Sequence, residues 1–223
     1  MIPLKDNIPT RTIPIITMSL IFVNMLIFLW QWLGLEPRAA ELIYKYYGFV
    51  PHEFMTSLTT RWDLLPYNVL TLFTSMCLHG NFLHLAGNML YFWIFGNNIE
   101  DAFGHVRFLV FYVLSGLVAA AFQFFYDPWS TIPMIGASGA ISGVLGAYLV
   151  LYPYARIKTL IFIFIADLPA IVLLSIWFFG QVLYSTAMEG IAWHAHIGGF
   201  IFGLVMAKLL ARKTLAKPRR AAS

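Results

Sequence analysis

The segment GASGAISG, residues 136–143, consists almost entirely of glycine, alanine and serine in a chain that is otherwise rich in large apolar residues. Small residues in such a run allow two helix backbones to approach each other closely. A serine in the same run can be approached by a reacting group. The segment therefore predicts a helix that packs tightly against a neighbour and presents one serine, Ser138, at its start.

The composition of the whole chain indicates a membrane protein. Sixty percent of the 223 residues are hydrophobic and 11% are charged, whereas a soluble domain carries about 25% charged residues. The mean hydropathy of +0.77 agrees with this class. Because Cys77 is the only cysteine, an internal disulfide and a zinc–thiolate cluster are excluded.

Apolar runs long enough to cross a bilayer recur along the chain. A spanning helix needs about 20 apolar residues, and six segments approach this length. We therefore predict an all-α, polytopic fold with a bundle of six transmembrane helices in a domain from 13 to 211. The predicted spans are about 13–34, 82–98, 106–126, 138–154, 168–188 and 192–211.

The segments between and around these spans have their own predicted roles. We expect the long outer loop 36–78 to contain short helices of its own. We interpret 156–167 as an interfacial connection, because Asp167 followed by Pro169 is typical of a helix start, with Asp167 as N-cap. Residues 1–12 are predicted to be a cytoplasmic segment, and residues 212–223 a basic cytoplasmic tail.

The distribution of lysine and arginine predicts the orientation. With the N-terminus in the cytoplasm, eleven of the fourteen basic residues lie on the inner side and three on the outer side, which is the bias of membrane proteins. We therefore predict a multi-pass protein of the cell (inner) membrane with both termini in the cytoplasm. The net charge of +4 reflects the basic tail rather than a nucleic-acid partner.

Polar residues inside predicted spans indicate a functional site, because burying them in lipid is costly. The second, fourth and sixth spans run in the same direction, which brings His84, Ser138 and His196 within one or two turns of the outer boundary. His84 and Asn88 are four residues apart and share a helix face. Ser138 lies where free N–H groups and the helix dipole favour an anion. A serine, a histidine and clustered donors are the groups that acyl transfer needs.

Two GxxxG patterns predict how these residues meet. Gly139 and Gly143 form one pattern, and Gly199 and Gly203 form the other. If the fourth and sixth spans pack through these glycines, Ser138 and His196 come within reach of each other.

Four motifs resemble those of the rhomboid intramembrane serine proteases. They are GASG at 136–139, HGNFLHLAGN at 79–88, AHIGG at 195–199 and GNNIEDAFG at 96–104, and they occur in the family's order. The resemblance implies membrane-anchored protein substrates, an active site that opens to the outer side, and neither metal nor cofactor. It also implies that Ser138 is the nucleophile and His196 its base, with the oxyanion held by His84, Asn88, Gly136 and Gly139.

The sequence departs from the family pattern at two positions. Some members carry a tyrosine one turn after the nucleophile that supports the histidine ring, and here that residue is Ser142, so another group must support the ring. Some members carry a Trp-Arg pair in the first loop, whereas Arg61 and Trp62 stand in the reverse order and receive no role. We expect His194 to be a packing or loop-facing residue.

Two other classes of function compete with a protease. A proteolytically inactive relative would bind transmembrane clients, but such proteins lack the serine or the histidine, and this chain has both. A small transporter or channel would fit six spans. It is disfavoured because no inverted repeat is visible and the polar residues gather at one end rather than at the midplane.

Overall fold

The computed structural model describes residues 1–34, 37–184 and 192–215, and over these residues the chain is mostly helical. A small antiparallel sheet, which an all-α fold does not include, packs against the helices. The helices are α1 Ile15–Gly34, α2 Pro37–Tyr47, α3 Pro51–Thr59, α4 Leu65–Thr74, α5 Phe82–Tyr91, α6 Asn97–Phe103, α7 His105–Tyr126, α8 Ser138–Leu151, α9 Ala170–Tyr184 and α10 Trp193–Leu215. The strands are β1 Ile2–Asp6, β2 Arg156–Ile161 and β3 Phe164–Pro169.

Length and composition by themselves support fewer spans than the six predicted. Among the described residues, two helical segments, Ile15–Leu33 and His105–Tyr126, are long and apolar enough to cross a membrane. A third appears if the pair Trp62–Cys77 and Phe82–Phe103, bent by 82°, counts as one span. The apolar helices α8 and α9 are shorter, with 14 and 15 residues.

The second predicted span is longer than expected and is not uniformly α-helical. α5 begins after Asn81, whose side chain accepts a hydrogen bond from the backbone N–H of His84. One π-helical turn, Phe92–Gly96, joins α5 to α6. The run ends at Gly104, whose φ of 77° lies in the region that favours glycine, and α7 starts at the next residue.

The segment between α1 and α5 contains the helices α2, α3 and α4, joined by short turns. Arg61 lies in one of these turns, where its guanidinium donates two hydrogen bonds of 2.9 and 2.8 Å to the Asp63 carboxylate. This pairing lowers the pKa of Asp63. Both side chains are exposed, so the pair organises the turn locally and has no part in the core.

The prediction that Asp167 is the N-cap of a helix is wrong, and the predicted interfacial connection 156–167 has regular structure of its own. This segment forms the hairpin of β2 and β3, and β1 pairs with β2 to complete the sheet. Asp167 lies inside β3, where its register partner is Lys158 of β2. The helix α9 begins only at Ala170. The alternation of side chains explains the strand, because Ile157 and Thr159 are fully buried while Lys158 between them is exposed.

Buried polar contacts tie the sheet and α1 to the rest of the molecule. The Asp6 carboxylate at the end of β1 accepts hydrogen bonds from the Tyr148 hydroxyl, at 2.7 Å, and from the Asn98 amide. The fully buried Glu100 accepts the backbone N–H groups of Ile16 and Thr17 at 2.9 and 2.8 Å. A carboxylate at this point satisfies N–H groups that the first helical turn leaves free.

The centre of the fold is the contact between α8 and α10, where glycines bring the two backbones together. A Cβ atom added at Gly199 would collide with the carbonyl oxygen of Gly139, and one at Gly203 with the carbonyl of Gly143. On the other helix, a Cβ at Gly146 would collide with the carbonyl of Phe200. The predicted contact between the two GxxxG patterns is therefore present, and it places the start of α8 beside the first turns of α10.

Candidate active site

A serine and a histidine from different helices meet at the start of α8. Ser138 is the first residue of α8, and His196 lies in the first turn of α10. The Nε2 atom of His196 is 2.7 Å from the Oγ atom of Ser138, which is the distance of a hydrogen bond. Both residues line a cavity of about 1110 Å³ that also contains His84 and Asn88.

The other nitrogen of the imidazole determines which tautomer is present. His196 Nδ1 is 2.6 Å from the Oε1 atom of Gln181 on α9. An amide oxygen can only accept a hydrogen bond, so the hydrogen of a neutral ring is on Nδ1. Nε2 then has a free lone pair directed at the Ser138 hydroxyl, which is the arrangement a general base requires.

Gln181 supplies the support for the His196 ring that the sequence left unassigned. Its own amide nitrogen donates to the backbone carbonyl of Trp177, one turn earlier, at 3.4 Å. The indoles of Trp177 and Trp193 flank the imidazole, with ring centroids 6.2 and 6.0 Å away. Sequence reasoning missed Gln181, although an amide in the middle of an apolar helix is a detectable signal.

Ser142 does not take the place of a ring-supporting tyrosine. Its hydroxyl donates a hydrogen bond of 2.6 Å to the backbone carbonyl of Ser138, one turn back along α8. This is the usual behaviour of a serine inside a helix, where the hydroxyl bonds to the preceding turn. Ser142 is fully buried in the packed part of α8.

His84 and Asn88 lie against the chain just before Ser138. A Cβ atom at Gly136 would be 2.8 Å from His84 Nε2 and 3.5 Å from Asn88 Nδ2, so only glycine permits this approach. The φ of Gly136, 116°, also favours glycine. The Asn88 amide is itself held by His79, a fully buried residue whose Nε2 is 3.0 Å from Asn88 Nδ2.

The expected oxyanion role of Gly136 does not fit its hydrogen bonding. Its backbone N–H donates to the carbonyl oxygen of Ser75 at 2.9 Å, so it is not a free donor. Gly139 differs, because it is the second residue of α8 and its N–H lies in a first turn without intrahelical acceptors. A Cβ on Gly139 would also lie 2.7 Å from that of Ala119 on α7.

The remaining candidate, His194, lies beside the dyad and is engaged elsewhere. Its ring stacks on Tyr126 at the end of α7, with centroids 3.3 Å apart, which agrees with a packing role. Among the described residues, no group of three or more His, Cys, Asp or Glu side chains is arranged to hold a metal ion.

The fold and this site together define a helical membrane protein with a hydrogen-bonded Ser–His pair in a cavity. A family model described as the Rhomboid domain matches residues 66–213. The chain therefore belongs to the rhomboid family.

Individual relatives agree with this assignment. The chain is 28% identical over 197 residues to Rhomboid protein 1, mitochondrial, of Saccharomyces cerevisiae, covering 84% of this chain and 51% of the relative. It is 29% identical over 216 residues to the Rhomboid protease AarA of Providencia stuartii, covering 86% and 70%. It is 33% identical over 139 residues to the Rhomboid protease GluP of Bacillus subtilis, covering 62% and 25%. The chain thus spans about half the length of the yeast relative and a quarter of GluP.

Proposed function

We propose that this chain is an intramembrane serine endopeptidase that cleaves membrane-anchored proteins within or near their transmembrane segments. The observation that carries the proposal is the hydrogen bond of 2.7 Å between His196 Nε2 and Ser138 Oγ. The bond to Gln181 leaves Nε2 in the basic form. The similarity to AarA and GluP, both rhomboid proteases, supports the same activity.

The reaction follows from the positions of these atoms. Ser138 Oγ attacks the carbonyl carbon of the scissile peptide while its proton moves to His196 Nε2. The tetrahedral intermediate collapses when the imidazolium gives this proton to the leaving amine, and an acyl-enzyme remains. A water molecule then repeats the sequence, losing a proton to His196, and the ester bond to Ser138 breaks with return of that proton to Oγ.

The charge that develops on the carbonyl oxygen needs donors close to Ser138. We assign this role to the side chains of His84 and Asn88 and to the first-turn N–H groups of α8, at Ser138 and Gly139. Gly136 contributes by letting His84 and Asn88 approach. His79 acts on the site indirectly, because it holds the Asn88 amide in place.

The lengths of the helices support a site below the membrane surface. The 14 residues of α8 extend over about 21 Å, which is less than the roughly 30 Å of the hydrocarbon core. Ser138 can therefore lie below the lipid headgroups and receive water through the cavity. We retain six spans, with both termini in the cytoplasm and the cavity opening to the outer side of the cell (inner) membrane. Residues 185–188 of the fifth predicted span and 216–223 of the basic tail lie outside the described residues.

The inactive-relative alternative is less well supported. A protein that only binds transmembrane clients has no need of a serine and a histidine in hydrogen-bond contact. It has equally little need of a glutamine that holds the ring in the tautomer of a base.

The proposal is tested with purified protein in liposomes that contain a reporter substrate with one transmembrane segment. We expect the wild type to cut the reporter and to be labelled at Ser138 by a fluorophosphonate. His196→Ala is expected to do neither, because the serine then has no base. A wild-type protein that is folded, and neither cuts nor labels, would overturn the proposal in favour of client binding.

Gln181 provides a second prediction as a positioning residue. Gln181→Leu removes the acceptor at His196 Nδ1, so we expect kcat to fall by about 10- to 100-fold with KM little changed. Gln181→Glu keeps an oxygen at the same place and is expected to restore most of kcat. A leucine variant that raises KM only, or a glutamate variant no better than leucine, would show that Gln181 acts through packing.

A further inference from the structure

The tip of the β2–β3 hairpin is strongly apolar and exposed. Four consecutive residues form this hairpin tip, Phe162 to Ile165, with exposed fractions of 94%, 83%, 71% and 61%. None of the four side chains carries a polar group. The tip is therefore an apolar surface that the described part of the chain leaves uncovered.

The backbone of the tip is strained at one of these apolar residues, Phe162. Ile161 and Phe164 are register partners, so Phe162 and Ile163 form a two-residue loop. Phe162 has a φ of 54°, and it is the only non-glycine residue with positive φ among those described. Glycine is preferred at the first position of such a loop, and a bulky residue there is costly. A phenylalanine at such a costly position suggests, as a hypothesis to be tested, a use for its side chain.

The outward face of the sheet changes character along its length. Near the tip, the register partners Ile2, Leu160 and Ile165 share this face. Nearer the base, Lys5, Lys158 and Asp167 share it, and Arg156 follows. The opposite face is buried at Pro3, Ile157 and Thr159. The exposed surface is thus apolar at one end and carries a net positive charge at the other.

We propose that the hairpin tip is a lipid-binding element that inserts into the boundary between the headgroups and acyl chains of the bilayer. Apolar side chains with neighbouring basic residues are the combination that binds such a boundary. Lys5, Arg156 and Lys158 would lie beside anionic headgroups, which attract basic side chains near the membrane surface.

The connection to α9 provides an independent reason for lipid as the occupant. β3 passes directly into α9 through Pro169, and α9 presents the exposed apolar residues Ile171, Val172 and Ile176. The tip therefore lies on the strand that leads directly into a helix which we place in the membrane. The sheet is also held at its base by the bonds of Asp6, so the tip is presented on a fixed support.

The test measures the depth of the tip with a fluorescent label. In a Cys77→Ala background, Ile163→Cys is labelled with an environment-sensitive dye, and the protein is reconstituted in phosphatidylcholine–phosphatidylglycerol liposomes. We expect this label to be quenched by doxyl-labelled lipid and protected from aqueous iodide. Asp167→Cys, on the charged part of the same hairpin, is the matched control and should show the reverse. Phe164→Cys provides a second position at the tip if the Ile163 variant does not fold.

Each other outcome counts against a stated part of the proposal. A tip label quenched by iodide and not by doxyl lipid places the tip in water and overturns it. If the label is protected from both quenchers, and this protection increases with the density of protein in the liposomes, the tip contacts a second copy of the chain instead of lipid. Unchanged doxyl quenching in liposomes of phosphatidylcholine alone would remove the contribution of the basic residues. None of these measurements depends on proteolytic activity.

Discussion

Replacing Ser138 by alanine is expected to abolish peptide-bond cleavage, with kcat reduced by roughly four orders of magnitude or more. The substitution removes one oxygen atom, the only group within hydrogen-bond distance of His196 Nε2 that can act as a nucleophile among the described contacts. Alanine keeps the Cβ atom and favours a helix, so the packing of α8 should be preserved. Cleavage of the transmembrane reporter in liposomes, with thermal unfolding measured in parallel, checks both expectations.

Ser142→Ala is the matched control for this prediction. Ser142 lies one turn further along α8, is fully buried, and uses its hydroxyl only for the carbonyl of Ser138 among the described contacts. Its replacement by alanine also removes one hydroxyl oxygen from the same face of α8, and we expect near wild-type cleavage. Turnover by pure Ser138→Ala protein would require another nucleophile, and an equal loss in both variants would indicate a general effect of altering α8.

Gly203→Ala is expected to have the largest effect on the fold. The added Cβ would collide with the carbonyl oxygen of Gly143 and approach its Cα, and backbone atoms cannot move aside by changing a rotamer. Overpacking of this kind costs on the order of 1–3 kcal/mol, and we expect the upper end of that range. If α10 shifts instead, His196 moves away from Ser138. The free energy of unfolding and fluorophosphonate labelling should therefore both decrease.

Gly180→Ala on α9 is the control for this substitution. A Cβ at Gly180 would meet no heavy atom of the described residues within 4 Å. Since alanine is the better helix former, we expect a neutral effect or a gain of about 0.5–1 kcal/mol. Denaturation midpoints in detergent compare the two variants. A wild-type midpoint and wild-type labelling for Gly203→Ala would show that α8 and α10 do not need their close contact.

Several features of the molecule could be predicted from the sequence because they depend on local patterns. Hydropathy identified the class of membrane protein, and small residues at a spacing of four identified the faces on which α8 and α10 meet. The pairing of Ser138 with His196 could be predicted from the sequence. Both residues lie near the start of helices that run in the same direction, so both have the same depth in the membrane. These inferences need only the helix period and the cost of polar groups in lipid.

The sheet shows where local patterns mislead, and α8 shows where they are incomplete. The apolar run 156–167 is consistent with several structures, and its pairing with β1 joins residues more than 150 positions apart. The strand forms because Ile157 and Thr159 become buried against the rest of the fold. α8 is too short for a span by length alone, and its burial comes from neighbouring helices rather than from its own hydropathy.

The polar partners of the site were decided only by the tertiary structure. Gln181 holds His196 from another helix, His79 holds Asn88 from the loop before α5, and the Gly136 N–H is taken by Ser75. A residue's type and spacing show that it can form a hydrogen bond, but its partner depends on where the helices come to lie. The sequence by itself determined the membrane class, the nucleophile and the base that we propose. Packing decided the tautomer of that base and the donors left free around it, because both depend on distances of about 3 Å between atoms remote in the chain.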